Sequence, residues 1–173
     1  MIEDLGYLRS LGSRVDGIIG FDLLRRQSFL VDYARKRVLF GPPPTHGMHG
    51  VPMYANGRSI TVPVELDGRL VRMVADTGAP GTLIYADTLA DLLANYHLEG
   101  RTDALSIGGP VENHTVIVPR LRLGGQDLNR EVLLVSAPGA SRLSGVSGYL
   151  GLASLAAKQV AFSFETDQLF WRK

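Results

Sequence analysis

Val71 to Pro80 reads V-R-M-V-A-D-T-G-A-P, and the fold turns on how that stretch is read. An apolar run rich in β-formers stops abruptly at Asp76-Thr77-Gly78. It sets a carboxylate where a strand ends, then a hydroxyl, then a glycine that lets the backbone turn sharply and approach another group closely. Upstream, Arg58 to Leu66 alternates polar and apolar residues, and Asp67-Gly68 is a strong two-residue hairpin signal. Asp76 is therefore expected on a loop just past the second strand of a hairpin, a rigid support for a reactive side chain. The tripeptide alone is a weak signal. A turn in which Asp76 and Thr77 bond their own backbone is the simpler explanation of three residues.

On the C-terminal side, Gly81 to Ile84 reads as a short strand. Ala86 to Tyr96 reads as a helix, with Leu89, Leu92 and Leu93 spaced for one buried face. Leu105 to Pro110 holds the pair Gly108-Gly109 between two extended runs, the second being Asn113 to Val118. Leu121 to Leu123 and Glu131 to Val135 are strands separated by a Gly124-Gly125 turn, and Ala137 to Ser147 is a loop. Gly148-Tyr149-Leu150-Gly151 leads into a short helix through Lys158. Val160, Phe162 and Phe164 alternate as a strand, and Leu169-Phe170-Trp171 form another. On the N-terminal side, Phe21 to Gln27 gives one or two helical turns. Phe29, Val31 and Tyr33 form a strand, Ala34 to Arg37 a basic turn, and Val38 to Phe40 a second strand. Gly41-Pro42-Pro43-Pro44 cannot continue a regular element, so residues 42–57 read as a Pro/Gly linker.

Composition narrows the function classes. The 173 residues are 45% hydrophobic and 20% charged, enough for one good core or two small ones. A net charge of +1 gives no reason to expect a nucleic-acid partner. The absence of cysteine excludes disulfides, thiol catalysis and thiolate metal sites. No run is long and apolar enough to span a membrane as a helix. Twenty glycines, nine prolines and many β-branched runs indicate a mainly β protein with tight turns.

The end of the chain repeats its beginning. Residues 15–40 shifted by 131 positions fall on 146–171 without a gap. Val15, Gly17, Gly20 and Leu24 meet Val146, Gly148, Gly151 and Leu155. The alternating Phe29, Val31, Tyr33 meets Val160, Phe162, Phe164, and Val38-Leu39-Phe40 meets Leu169-Phe170-Trp171. Few of these are identities, but a slip of one residue would turn each strand inside out, so the shared phase carries weight. The N-terminal unit matches only the tail of the later one; its D-T-G half is absent.

Residues 58–173 resemble one whole lobe of the retropepsin-like aspartic proteases, and residues 1–41 resemble the C-terminal part of another. Four features arrive in that family's order: the A-D-T-G-A loop at Ala75 to Ala79, the glycine hairpin Ile107-Gly108-Gly109 at the flap position, the G-x-x-G of Gly148 to Gly151, and the final strand pair. The resemblance implies a mainly β fold, a closed acid-protease barrel with short helices, followed across the linker from the remnant of a first lobe. It departs from the viral members at Pro80 and Gly81, and in the longer, helix-bearing connection to the flap. Such insertions are similar to the bacterial branch, some of whose members carry two lobes in one chain. Those members are often exported, so a longer natural precursor would imply a periplasmic or exported enzyme.

The resemblance also assigns roles. Two carboxylates in close contact share one proton and can serve as base and acid on a water without any cofactor or metal. Asp76 would be one member of that dyad, Thr77 would bond across to the opposite loop, and Gly78 would let that loop pass close. Ala79, Ile107, Gly108 and Gly109 would contact a polypeptide substrate, the last two as a closing flap tip. The second aspartate would come from another copy or from a missing first lobe, and the isolated chain is expected to homodimerise, with the strand pairs 29–40 and 160–171 sharing a sheet.

Other readings weigh less. His46 and His49 are spaced as ligands but lie in the Pro/Gly stretch without a carboxylate cluster, and His97 and His114 are isolated. There is no G-x-S-x-G, and Gly145, Gly148 and Gly151 do not make a dinucleotide fingerprint. Arg25, Arg26, Arg35, Lys36 and Arg37 suit a solvated sheet edge. The competing class is a catalytically silent lobe that dimerises or binds an extended peptide by strand addition, with Asp76 a relic.

Overall fold

The computed structural model describes residues 19–56, 59–79, 81–106, 109–128, 132–136, 144–152 and 155–173. Within them the order is α1 (Phe21–Leu24), β1 (Phe29–Asp32), β2 (Arg37–Phe40), β3 (His49–Pro52), β4 (Tyr54–Ala55), β5 (Ile60–Leu66), β6 (Arg69–Asp76) and β7 (Leu83–Tyr85). Then come α2 (Ala90–Leu93), β8 (Leu98–Ser106), β9 (Gly109–Ile117), β10 (Leu121–Leu123), β11 (Gln126–Leu128), β12 (Val132–Ser136), β13 (Gly148–Gly151), β14 (Gln159–Ser163) and β15 (Gln168–Arg172). The chain is mainly β with two helices of one turn each among the described residues.

The internal repeat is visible in the smaller sheet, whose order is β2-β1-β14-β15-β3. In the β1–β2 hairpin Phe29 pairs with Phe40 and Val31 with Val38. The positions 131 residues later pair identically, Val160 with Trp171 and Phe162 with Leu169. Even the turns match: Lys36 and Asp167, equivalent in the repeat, both have φ of 51°. The two hairpins join antiparallel through β1 and β14, with Leu30 opposite its own equivalent, Ala161. A local two-fold axis therefore passes between these residues. The expectation that the two strand pairs share a sheet is met within one chain. Phe29 stacks on Phe162 with ring centroids 4.6 Å apart.

Asp32 fastens one end of this seam. It is fully buried, accepts from the Arg35 backbone and side chain at 3.0 and 3.1 Å, lies 3.6 Å from Arg37 Nε, and accepts from Gln159 of β14 at 3.1 Å. Burial works to raise its pKa, but the Arg35 and Gln159 hydrogen bonds and the Arg35 charge outweigh it and hold the carboxyl below its ordinary 3.8. A depressed carboxyl contributes stability above its unfolded pKa and loses it as pH falls through the folded one. Asp32→Asn should therefore lower the urea midpoint at pH 7. The gap from wild type should narrow steadily below the ordinary 3.8, and an equal gap at pH 7 and pH 2.5 would remove Asp32 from the seam's energetics.

The Pro/Gly stretch read as a linker is held at its far end. Val51 and Met53 are buried, Val51 pairs with Leu169, and the Met53 amide donates to the Asp167 carbonyl. β3 lies at the sheet edge, where Pro52 costs no ladder bond. Because β2 and β3 occupy opposite edges, residues 41–48 must cross four strand spacings, about 19 Å. Eight residues reach at most about 27 Å, so the stretch is a strap rather than a loose tether.

The larger sheet runs β11-β10-β5-β6-β13-β7-β12-β9-β8, with β4 also on β5. Asp67 and Gly68 turn the β5–β6 hairpin with φ of 47° and 84°, the pair of positive values that the two-residue turn requires. Pro63 sits inside β5, but β4 covers only Ile60 and Thr61 and β10 only Val64 to Leu66, so it falls in the gap between them. Val62, Val64, Leu66, Met73, Leu150, Phe162, Leu169 and Trp171 belong to one core that joins both sheets. The expected helix over Ala86 to Tyr96 contracts to α2. Thr88 turns back on the Tyr85 carbonyl at 2.9 Å, Leu89 is an N-cap with no side-chain bond, and the chain re-enters a strand at Leu98. Leu152 and Leu155–Ala156 lie in turns where a short helix was expected, and residues 153–154 of that helix fall outside the described residues.

Candidate active site

Asp76 is the last residue of β6, one place earlier than the loop on which the sequence set it. Its neighbours explain why the strand ends there. The Gly78 amide donates to Asp76 Oδ1 at 2.8 Å and the Ala79 amide at 3.1 Å. This is the turn anticipated for an Asp-Thr-Gly on its own, and it uses only one carboxylate oxygen. Oδ2 takes no hydrogen bond from any described residue. Asp76 is half-buried and Gly78 exposed, so the open oxygen sits at the rim of the fold.

Three neighbours hold the loop's backbone. The first is β13, which lies between β6, parallel to it with Gly151 opposite Asp76, and β7, antiparallel. The Leu152 amide donates to the Asp76 carbonyl at 2.8 Å. The second is the chain after the loop, which returns so close to β13 that both glycines of the G-x-x-G are needed. A Cβ on Gly151 would lie 2.4 Å from the Gly81 carbonyl oxygen and 2.9 Å from that of Ala79. The third is Tyr33, just beyond β1, whose hydroxyl donates to the Thr77 carbonyl at 3.0 Å. Burial first, and the Asp76 charge second, push the Tyr33 phenol up to about 12.

The sequence-derived candidates are thus only partly brought together. Asp76, Thr77, Gly78 and Ala79 form one loop. Gly109 opens β9 and pairs with Ser106 of β8 in a long antiparallel hairpin. Ile107 and Gly108 lie outside the described residues, as does Pro80. Three strands separate β6 from β9 in the sheet. Of the histidines weighed for metal binding, His49 packs its ring against Trp171, centroids 5.1 Å apart. Tyr33 went unnoticed. Its only sequence signal was the repeat, which sets it opposite Phe164, so that one copy carries a hydroxyl the other lacks.

Comparison with known proteins agrees with this geometry. No curated protein matches the chain in sequence. Its fold is similar to a retropepsin-like aspartic protease from Rickettsia conorii, with a TM-score of 0.51, 15% identity, and 72% of this chain aligned with 89% of that one. A weaker likeness is to EIAV protease complexed with the inhibitor HBY-793, at a TM-score of 0.44 and 20% identity, with 60% of this chain aligned with 90% of that one. The family model described as aspartyl protease matches residues 62–153, from the first valine of β5 to just past the G-x-x-G. That span is more than half of the chain, and it contains the Asp76 loop and β13: the chain belongs to the aspartyl protease family.

Proposed function

We propose that the chain is an aspartic endopeptidase lobe that hydrolyses peptide bonds with a water activated between two aspartates, one of them Asp76. The observation that carries this reading is the Asp76 carboxylate, with Oδ1 fixed by two amides and Oδ2 without a partner among the described residues. Such a group is oriented yet free to exchange a proton. Two of them face to face cannot both ionise and so share one proton. The ionised member takes a proton from the water as the water oxygen bonds to the scissile carbonyl carbon. The protonated member gives its proton to the carbonyl oxygen, forming a gem-diol. As the C–N bond breaks, the protonated carboxyl gives its proton to the leaving amine and the ionised one takes a gem-diol hydroxyl proton, which leaves a carboxylic acid product and restores the shared-proton pair.

The second aspartate comes from another copy or from a first lobe to which residues 19–41 belong. Burial supports the first-lobe arrangement. Leu169 and Trp171 are 0% and 1% exposed beneath their own lobe, whereas their repeat equivalents Val38 and Phe40 are 43% and 48% exposed. A similar body resting on β2 would cover them. Gly78 supports an opposing loop: a Cβ there meets only Asp76 Oδ1, at 3.6 Å, so the described chain itself does not demand glycine. In this reading Thr77 bonds across to that loop, while Ile107, Gly108 and Gly109 close over an extended peptide.

For the isolated chain, dimerisation is the remaining source of a second carboxylate. Cleavage of an unfolded protein should rise faster than linearly with protein concentration, in step with a dimer in sedimentation, and pepstatin should block it. Undiminished specific activity in a strictly monomeric sample would sink the two-aspartate requirement. Absence of both cleavage and pepstatin binding in a dimer would leave the silent peptide-binding lobe.

A further inference from the structure

We propose that Tyr33 is a positioning residue for the catalytic loop: through its hydroxyl, the β1–β2 unit holds the Asp76-Thr77-Gly78 turn in the shape that presents Asp76. This rests on the reading of Asp76 given above. The contact joins positions 44 apart in sequence, from just beyond β1 to the loop at the end of β6. Tyr33 is itself anchored on the complete lobe, since its amide donates to the Lys158 carbonyl at 2.9 Å. The hydroxyl reaches the Thr77 carbonyl at 3.0 Å, one residue from the Asp76 carbonyl bonded by Leu152. Consecutive carbonyls of the loop are thus gripped from two sides, Asp76 by β13 and Thr77 by the β1–β2 unit. The peptide unit of the Thr77 carbonyl carries the Gly78 amide and the next unit the Ala79 amide, the two that hold Asp76 Oδ1. Loss of the Thr77 grip frees that peptide plane to rotate, and with it the amides that aim the carboxylate.

A further observation separates this contact from ordinary packing. The repeat equivalent of Tyr33 is Phe164, which has no hydroxyl and fills its place by ring contacts with Phe21 and Phe29. The fold therefore needs an aromatic ring at this position, and the hydroxyl is an addition on the side that faces Asp76.

The test is Tyr33→Phe beside Tyr33→Leu in the full chain. Amide hydrogen exchange is read at Gly78 and Ala79, with Val62 and Phe162 as core controls. Tyr33→Phe should speed exchange at Gly78 and Ala79 by about fivefold to tenfold, the worth of one hydrogen bond, and leave the controls unchanged. Under conditions of cleavage it should lower kcat by a similar factor with little change in KM. Rates at Gly78 and Ala79 equal to wild type in Tyr33→Phe, with loosening only in Tyr33→Leu, would overturn the proposal and reduce Tyr33 to a packing residue. The exchange measurement needs no activity, so faster exchange in a dimeric chain that neither cleaves nor binds pepstatin upholds the positioning role and counts against the catalytic reading instead.

Discussion

Asp76→Asn should leave the fold intact and lower peptide cleavage by about a thousandfold or more. The geometry says why both halves of that result belong together. Asn retains an Oδ1 that can accept from the Gly78 and Ala79 amides, now 2.8 and 3.1 Å from the aspartate oxygen. Its Nδ2 takes the place of Oδ2, which no described residue bonds, so no partner is stranded. Stability should change by no more than about 0.5 kcal/mol, as for a surface substitution away from packing. Chemistry fares differently, because an amide neither accepts the water's proton nor shares one with a facing carboxylate. The comparison is made at a concentration where wild type cleaves an unfolded protein, with urea midpoints measured in parallel. Wild-type cleavage by the Asn variant would remove Asp76 from the reaction. Loss of cleavage with a large fall in midpoint would mean that the loop, not the acid, had been damaged.

Gly148→Ala should have the largest effect on folding. A Cβ built at Gly148 falls 1.9 Å from the Leu83 carbonyl oxygen and 2.9 Å from its carbon, and these are backbone atoms of β7 that cannot swing aside. Either β13 leaves its slot or β7 moves. β13 is the strand that joins β6 to β7 and bonds the Asp76 carbonyl through Leu152. A loss of about 3 kcal/mol or more is expected, at or above the upper end of the usual cost of overpacking, because the clash is with backbone. Gly125→Ala is the control: its φ is 79° but nothing lies within 4 Å, so only the backbone penalty of about 1 kcal/mol applies. Urea denaturation of the two variants checks the ranking. Equal midpoints would mean that the close approach at Gly148 relaxes freely.

What could be read from the sequence follows physical range. The Asp67-Gly68 turn, the end of β6 at Asp76 and the two equivalent hairpins were legible because each is set by residues next to one another, or by a phase that one slip would destroy. The β1–β14 pairing was legible because the repeat supplied two matching apolar strand pairs. The helix over Ala86 to Tyr96 was read too long: leucine spacing reports a buried face, and Leu89 is buried, but Asp91 is drawn to Arg69 at 2.6 Å and the Tyr96 hydroxyl to Asp67 at 2.6 Å, contacts made across the fold. β3 was hidden because Pro52 disguises a strand whose ladder partner among the described residues, β15, lies at the other end of the chain. Tyr33 was hidden for the same reason, since one hydroxyl in an alternating strand gives no local sign of the carbonyl it will meet.

The β1–β14 seam has a consequence for assembly from the unfolded chain. Each hairpin is local and closes on the microsecond scale. The seam is not local: Asp32 and Gln159, which fasten it, are 127 residues apart. Joining them carries the loop-closure entropy of that long separation, so the seam is a late event and the hairpin of residues 29–40 waits with its ladder groups open. Nothing in the register distinguishes β14 of the same molecule from β14 of a neighbour. With residues 41–48 as hinge, the waiting hairpin can zip onto another copy and reproduce every contact of the seam. Refolding at high protein concentration then yields exchanged pairs, and refolding at high dilution yields closed single chains. The route by which a sample was folded, not only its final concentration, sets how its copies are joined.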